Sequence, residues 1–195
     1  MWIGKILTDT ASLSSVIMNR PPINAPVQGV RYYSAKQSFD NRGSFTKIWS
    51  AAWEGEERFP SREFFYSDSL PGVLRGLHLQ TGEAACSRYV SVLVGTILDV
   101  VLDLRPTSPT FLNFQTVEMD SIKKCTVHVP AGVAHGFQAL ESVKTFYISG
   151  DNHAPLLDSG VNAESIGFKW PIKNSIRSAR DSSLLSLSDW LQENR

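Results

Sequence analysis

The chain has 195 residues, with 19 basic and 19 acidic side chains and 42% hydrophobic residues. That length fits one ordinary domain with a sizeable core and an extension. A formal charge of zero excludes the bulk attraction that draws basic proteins to nucleic acid or membrane surfaces, so an anionic ligand must be met by locally placed arginines.

The N-terminal stretch "MWIGKILTDTASLSSVIMNRPP" carries charges at Lys5 and Asp9 and has no apolar run long enough for a signal peptide or a membrane span. A soluble, cytoplasmic protein is expected. Residues 1–26 lack periodicity and end in the linker-like "RPPINAP", so they are read as an N-terminal extension ahead of a domain over 27–195. From Val27 onward the pattern is that of strands.

In "GVLRGLHLQ" (72–80) strict alternation puts Arg75 with Val73, Leu77 and Leu79, and His78 with Leu74, Gly76 and Gln80. Two strongly polar groups would then leave opposite faces of a mostly apolar strand. A bulge at Gly76–Leu77 would instead turn both toward one side, and glycine is the residue that permits it. Next, "RYVSVLVGTILDVVLDLR" gives two strand-like runs broken at Gly95-Thr96, a plausible hairpin. In the second run Leu98, Val100, Leu102 and Leu104 share one face, and Ile97, Asp99, Val101 and Asp103 the other. Two acids among branched apolar residues point to a face lining a polar cavity or to a solvated sheet face.

"FLNFQTVEMD", "CTVHVP" and "VKTFYISG" continue as short strands separated by turn residues. Such spacing predicts an all-β antiparallel sandwich or jelly-roll barrel. The pattern changes in "DSSLLSLSDWLQEN", where Leu184, Leu187 and Leu191 approach helical spacing. A short C-terminal helix is expected there, capped by Asp181 or Ser182.

Of the four histidines, His135 sits in "PAGVAHGF", a Pro-x-Gly-x-x-His spacing similar to the second motif of the cupin barrels, which often hold a metal. The first cupin motif would want His-x-His and a glutamate. Here "HLQTGE" offers His78 and Glu83 with Gln80 between them, so a metal set of His78, Glu83 and His135 lacks one ligand. His128, alternating within "TVHVP", reads as a satisfied strand histidine. Cys86 and Cys125 form no disulfide framework and have no metal-ligand spacing.

Taken together, "DNRGSF" (40–45), "GVLRGLHLQ" (72–80), "GTILDVVLDLRPTSPTF" (95–111), "VPAGVAHGF" (129–137), "FYISG" (146–150) and "GFKWP" (167–171) resemble the dTDP-4-dehydrorhamnose 3,5-epimerase family. The pieces run in that family's order from about residue 27 to 190. The resemblance implies a cupin-like jelly-roll barrel without metal or other cofactor, forming a homodimer with an exchanged N-terminal strand. It implies epimerisation at C3 and C5 of a nucleotide-diphospho-4-keto-6-deoxy sugar. Such a reaction removes a proton beside a ketone, holds an enolate and returns a proton to the opposite face.

By the resemblance, His78 is the base, Asp181 of "SARD" its carboxylate partner and Tyr147 of "FYIS" the opposing acid. Read on its own, Asp181 is better explained as a helix cap, and Tyr147 could equally be a packed strand tyrosine. The resemblance also implies that Arg75 and His135 contact the sugar and enolate, and that Arg42 of "DNRG" reaches the diphosphate across the dimer. Arg88 replaces a lysine of the family, exchanging a compact ammonium for a planar fork. Arg180 and Asp158 align with further nucleotide contacts.

Some positions depart from the family pattern. Asn152 and His153 stand where two aromatic residues usually help to hold the nucleobase, Lys47 replaces a glutamate, and Glu63 lies near a glutamine. GDP, CDP or UDP sugars therefore stay open beside dTDP. So do a single-site 3- or 5-epimerase, and a non-catalytic or metal-binding cupin module.

Overall fold

The computed structural model describes residues 21–50, 52 and 59–194; residues 1–20, most of the expected extension, lie outside them. Thirteen strands are described: β1 (Ile23–Asn24), β2 (Arg31–Tyr33), β3 (Lys36–Asp40), β4 (Gly43–Lys47), β5 (Glu63–Ser69), β6 (Leu74–Gln80), β7 (Arg88–Val94), β8 (Thr96–Asp103), β9 (Asn113–Asp120), β10 (Thr126–Val129), β11 (Val133–Ala139), β12 (Val143–Ser149) and β13 (Asp158–Gly160). Two short helices follow, α1 (Ala179–Ser183) and α2 (Leu187–Glu193).

One sheet runs β1-β9-β8-β11-β6-β13, a second runs β2-β10-β7-β12-β5, and β3 and β4 form a separate hairpin. Every pairing in the two large sheets is antiparallel except that of β1 with β9. Ile23–Asn24, inside the expected extension, thus forms an edge of the six-stranded sheet.

Alternation along the strands sorts the side chains into two cores. From β8, Val100 and Leu102 join Leu74, Leu77 and Leu79 of β6 on the outer face of the six-stranded sheet, where Ile166, Leu187, Trp190 and Leu191 cover them. The opposite faces of the two sheets meet through Ile97, Val101, Val133 and Phe137 on one side and Val90, Val92, Val127 and Tyr147 on the other. This is the two-sheet, jelly-roll form expected of an all-β chain. Among the described residues, no helix is long and apolar enough to cross a membrane.

Two local expectations are corrected. Gly95-Thr96 does not close a hairpin: β7 pairs with β10 and β12, whereas β8 pairs with β9 and β11 in the other sheet. The chain changes sheets at Gly95, which has φ +80°, and a Cβ there would stand 2.4 Å from the Ser142 carbonyl oxygen. The C-terminal helix is two helices rather than one, and neither is capped by Asp181 or Ser182. Ser178 accepts from the Asp181 N–H and Ser186 from the Asp189 N–H. Each cap is a serine followed three residues later by an aspartate, a recognisable helix-start pattern.

Candidate active site

The irregularity expected in β6 is present. Against β11, His78 lies opposite His135 and Arg75 opposite Phe137, so three steps on β6 face two on β11. The extra residue reverses the alternation. Leu74, Leu77 and Leu79 all reach the outer core, while Arg75, His78 and Gln80 all face the space between the sheets. Gly76 has φ +107°, and a Cβ there would come within 2.7 Å of both Gly136 Cα and the His135 carbonyl oxygen. A Cβ on Gly136 would stand 2.3 Å from the Arg75 carbonyl oxygen. Both glycines are required by this close approach of two backbones. The Gly76–Leu77 peptide is cis.

The resulting cavity has a volume of about 500 Å3. One wall carries Arg75, His78 and His135 from the six-stranded sheet; the facing wall carries Phe65, Arg88 and Tyr147 from the five-stranded sheet. His78 Nε2 lies 2.7 Å from Asp181 Oδ1, and the Gly76 N–H donates to Asp181 Oδ2 at 3.2 Å. The bulge therefore supplies a backbone donor to the carboxylate as well as aiming the imidazole. Asp181 is buried, which by itself would raise its pKa. The bond and charge of His78, the Gly76 N–H and Ser178 outweigh that and hold the carboxyl below its usual range. The His78 side chain remains 25% exposed and opens onto the cavity.

His135 also has a carboxylate partner. Its Nε2 is 2.6 Å from Asp99 Oδ1, and the other carboxylate oxygen accepts from the Tyr32 hydroxyl at 3.0 Å. Asp99 and Asp103 are completely buried, and neither lines the cavity. The expected polar face of β8 thus lies behind the cavity: Asp99 braces His135, while Asp103 accepts from Arg105, Ser108 and Thr110.

Tyr147 is buried beside the cavity, with its ring stacked on Phe65 at 4.6 Å and its hydroxyl accepting from Thr145 at 3.2 Å. Thr145 Oγ1 also bonds Ser67 Oγ. Arg75 donates to Ser69 and to the Asp68 carbonyl, which fixes its fork at the rim of β5. Among the described residues, the Arg88 side chain has no hydrogen bond or ion pair; burial lowers its pKa, against the opposing pull of Cys86, Tyr147 and Asp158.

At one end of the cavity Arg180 pairs with Asp158 at 2.7 Å, His153 Nδ1 stands 3.8 Å from the same carboxylate, and Glu63 accepts from the His153 N–H. Gln80 donates to the Asn152 carbonyl and accepts from the Ala154 N–H, so the amide at the missing metal-ligand position anchors this loop. Glu83 is exposed on a one-turn 3-10 segment and does not line the cavity. Arg42 does not line it either. It sits at the tip of the β3–β4 hairpin, paired with Asp40 and with its side chain 85% exposed. His128, given no role, bonds the Gly29 carbonyl.

The bracing of His135 by Asp99 and Tyr32 went unrecognised from the sequence. The two acids on one face of β8 were the only signal for it, and they did not name a partner. Phe65 and Ser67 also line or support the cavity without a sequence signal, and Gln80, noted only as the absent metal ligand, anchors the loop beside it.

Two facing antiparallel sheets around one polar cavity, with helices covering the outer face of one sheet, define a cupin-like protein. The sequence profile described as dTDP-4-dehydrorhamnose 3,5-epimerase matches residues 24–189. The chain belongs to the dTDP-4-dehydrorhamnose 3,5-epimerase family and is an isomerase of that class. It is 31% identical over 165 residues to the dTDP-4-dehydrorhamnose 3,5-epimerase of Shigella flexneri, spanning 82% of this chain and 91% of that one. A dTDP-4-dehydrorhamnose 3-epimerase of Streptomyces niveus is 29% identical over 174 residues, 84% of this chain and 82% of the relative. Among solved structures, the rmlC epimerase of Mycobacterium tuberculosis superposes with a TM-score of 0.81 at 28% identity, over 90% of this chain and 92% of that one.

Proposed function

We propose that the protein epimerises a nucleotide-diphospho-4-keto-6-deoxy sugar at C3 and C5, with His78 as base and Tyr147 as acid. The observation that carries this reading is the arrangement of the two groups. A histidine bonded to a buried carboxylate stands on one sheet, and a tyrosine stands on the opposite sheet across one cavity. A proton leaving one face of a sugar ring and returning to the other needs that placement. His78 takes the proton from the carbon beside the ketone, and Asp181 stabilises the imidazolium that forms. The charge passes to the ketone oxygen as an enolate, which Arg88 and His135 are positioned to stabilise. Tyr147 then protonates the carbon from the far side. No oxidant, reductant or other cofactor enters this balance of atoms and electrons.

Arg75, Arg180 and Asp158 serve the sugar and nucleotide, and Arg42 reaches the diphosphate of a neighbouring subunit. A homodimer is supported by surface chemistry. The β3–β4 hairpin exposes Phe39 and Phe45, and the edge strand β5 exposes Phe64 and Tyr66. Apolar hairpins and open sheet edges of this kind are normally covered. A monomer in light scattering would remove the route by which Arg42 could serve a cavity it does not line.

The deciding experiment incubates the protein with dTDP-, GDP-, CDP- and UDP-4-keto-6-deoxyglucose in deuterated water. Deuterium at both C3 and C5 is the expected outcome; label at one carbon alone would make it a single-site epimerase, like the named Streptomyces niveus relative. No incorporation with any nucleotide would overturn the epimerase reading. Tyr147→Phe should retain part of the exchange while losing inversion, and full epimerisation by that variant would refute the acid assignment.

A further inference from the structure

We propose that Arg177 is a positioning residue that sets the distance between His78 and Asp181. Its guanidinium touches neither side chain and does not line the cavity. It binds the backbone on which each of them rides. Nη2 donates to the Asp181 carbonyl oxygen and, at 3.0 Å, to Asn162 Oδ1; Nη1 donates to Glu164 Oε2 at 2.8 Å. The Asn162 and Glu164 side belongs to the His78 half of the pair. Val161 exchanges both backbone hydrogen bonds with Leu77, and Gly160 lies opposite His78 in the β13–β6 ladder. Asn162 also caps the 3-10 turn Ala163–Ile166 by accepting from the Glu164 N–H. One planar fork thus ties the start of α1, which carries Asp181, to the segment paired with the strand that carries His78.

The other restraints on Asp181 do not duplicate this one. Ser178 fixes the first turn of α1, and the Gly76 N–H fixes one carboxylate oxygen. Neither ties the Asp181 backbone to the Val161–Glu164 segment, and the Asn162 N–H bond to the Leu185 carbonyl at 2.8 Å joins that segment only to the chain beyond α1. The Arg177 side chain is largely buried, and its Nε is a buried donor without a hydrogen-bond partner. A position selected for burial alone would not hold a guanidinium with an unsatisfied nitrogen. The retained arginine makes sense if the geometry of its two terminal nitrogens is what the position supplies, because only a planar fork reaches three acceptors on two segments at once.

The inference rests on the proposed His78–Asp181 chemistry, and its test has one arm that does not. Short imidazole–carboxylate bonds place ring N–H protons far downfield in proton NMR spectra. Two such signals are expected here, from His78 and from His135, and Asp181→Asn identifies the first by its loss. Arg177→Met and Arg177→Lys are then compared. The expected result is that the His78 signal broadens or disappears in Arg177→Met and is partly kept in Arg177→Lys, while the His135 signal is unchanged. Turnover should fall about tenfold or more in Arg177→Met with KM unchanged, because the base and its partner are misplaced while the cavity is intact. Loss of both signals together would show general loosening and overturn the positioning role. So would a full His78 signal and full turnover in a folded Arg177→Met. Should Arg177→Met fail to fold, Glu164→Ala, which removes one exposed contact of the fork, must weaken the His78 signal alone. If the unaltered protein exchanges no deuterium, the epimerase reading fails, while the NMR comparison still decides the role of Arg177.

Discussion

Two histidine–carboxylate pairs stand side by side in this protein, on strands whose residues His78 and His135 lie opposite one another. They are built for different purposes. His78 opens onto the cavity, and its carboxylate comes from a helix 103 positions away that is held by a serine cap and a bulge N–H. His135 is 4% exposed, and Asp99 behind it is fully enclosed by the sheet and completed by Tyr32. The first pair has one face free for a substrate proton and lies at the junction of two separate parts of the fold, the strand bulge at Gly76 and helix α1. The second has no freedom left. A histidine locked between a ring-fixing carboxylate and the cavity wall is suited to hold a developing charge in place, whereas the open pair is suited to exchange protons.

The sharpest way to break this comparison is to remove each half in turn. His78→Ala should abolish deuterium exchange, measured as label in recovered sugar nucleotide; residual exchange at His135 would reverse the assignment of the two pairs. Asp181→Asn keeps the shape but not the charge, and turnover should fall about 100-fold or more. Its effect on stability has a defined sign. The folded carboxyl titrates below its ordinary value, so its contribution is fully present above the unfolded carboxyl value, about pH 4, and is lost as the pH falls through the lowered folded value. Melting curves from pH 7 to pH 2 should therefore converge for the two proteins at the acid end. Divergence there would contradict the sign.

Much of this was legible beforehand, and the reason lies in particular residues. Strands β6 to β10 and β12 followed from period-two runs and turn residues, and the bulge followed from an arginine and a histidine three apart around Gly76. Both are local signals. The sheet change at Gly95 was not legible, because a glycine between two apolar runs looks the same whether the runs pair with one another or with different sheets. Packing of β7 against β10 and β12 decided it. The helix break at Leu184–Ser186 was readable in principle from two Ser-x-x-Asp starts. The partnership of Asp99 with His135 was not, since it joins residues 36 apart through a register that only the finished sheet defines.

Asp99→Asn probes the closed pair. It removes a charge from a fully buried, doubly bonded site, leaving the His135 ring and the Tyr32 hydroxyl facing an amide. Breaking one member of such a buried pair costs about 3–5 kcal/mol, so denaturant unfolding should show a much larger loss than for Asp181→Asn at neutral pH. Turnover per folded molecule should fall less than in Asp181→Asn. The opposite ranking would mean that His135, not His78, exchanges the proton.

The smallest effect is expected at the far end of the closed pair. Tyr32 reaches Asp99 from the edge strand of the opposite sheet, and burial, then the charge and hydrogen bond of Asp99, raise its pKa well above the ordinary phenol value. The hydroxyl therefore remains a donor throughout the working pH range. Tyr32→Phe removes that donor while keeping the ring, and Asp99 retains its bond to His135. The net loss should be about 1–3 kcal/mol, the cost of leaving a charged acceptor short of one partner. Deuterium exchange should change by only a few fold. A collapse of activity in Tyr32→Phe with stability intact would show that the closed pair is not closed, and that the phenol, imidazole and carboxylate pass a proton along their length.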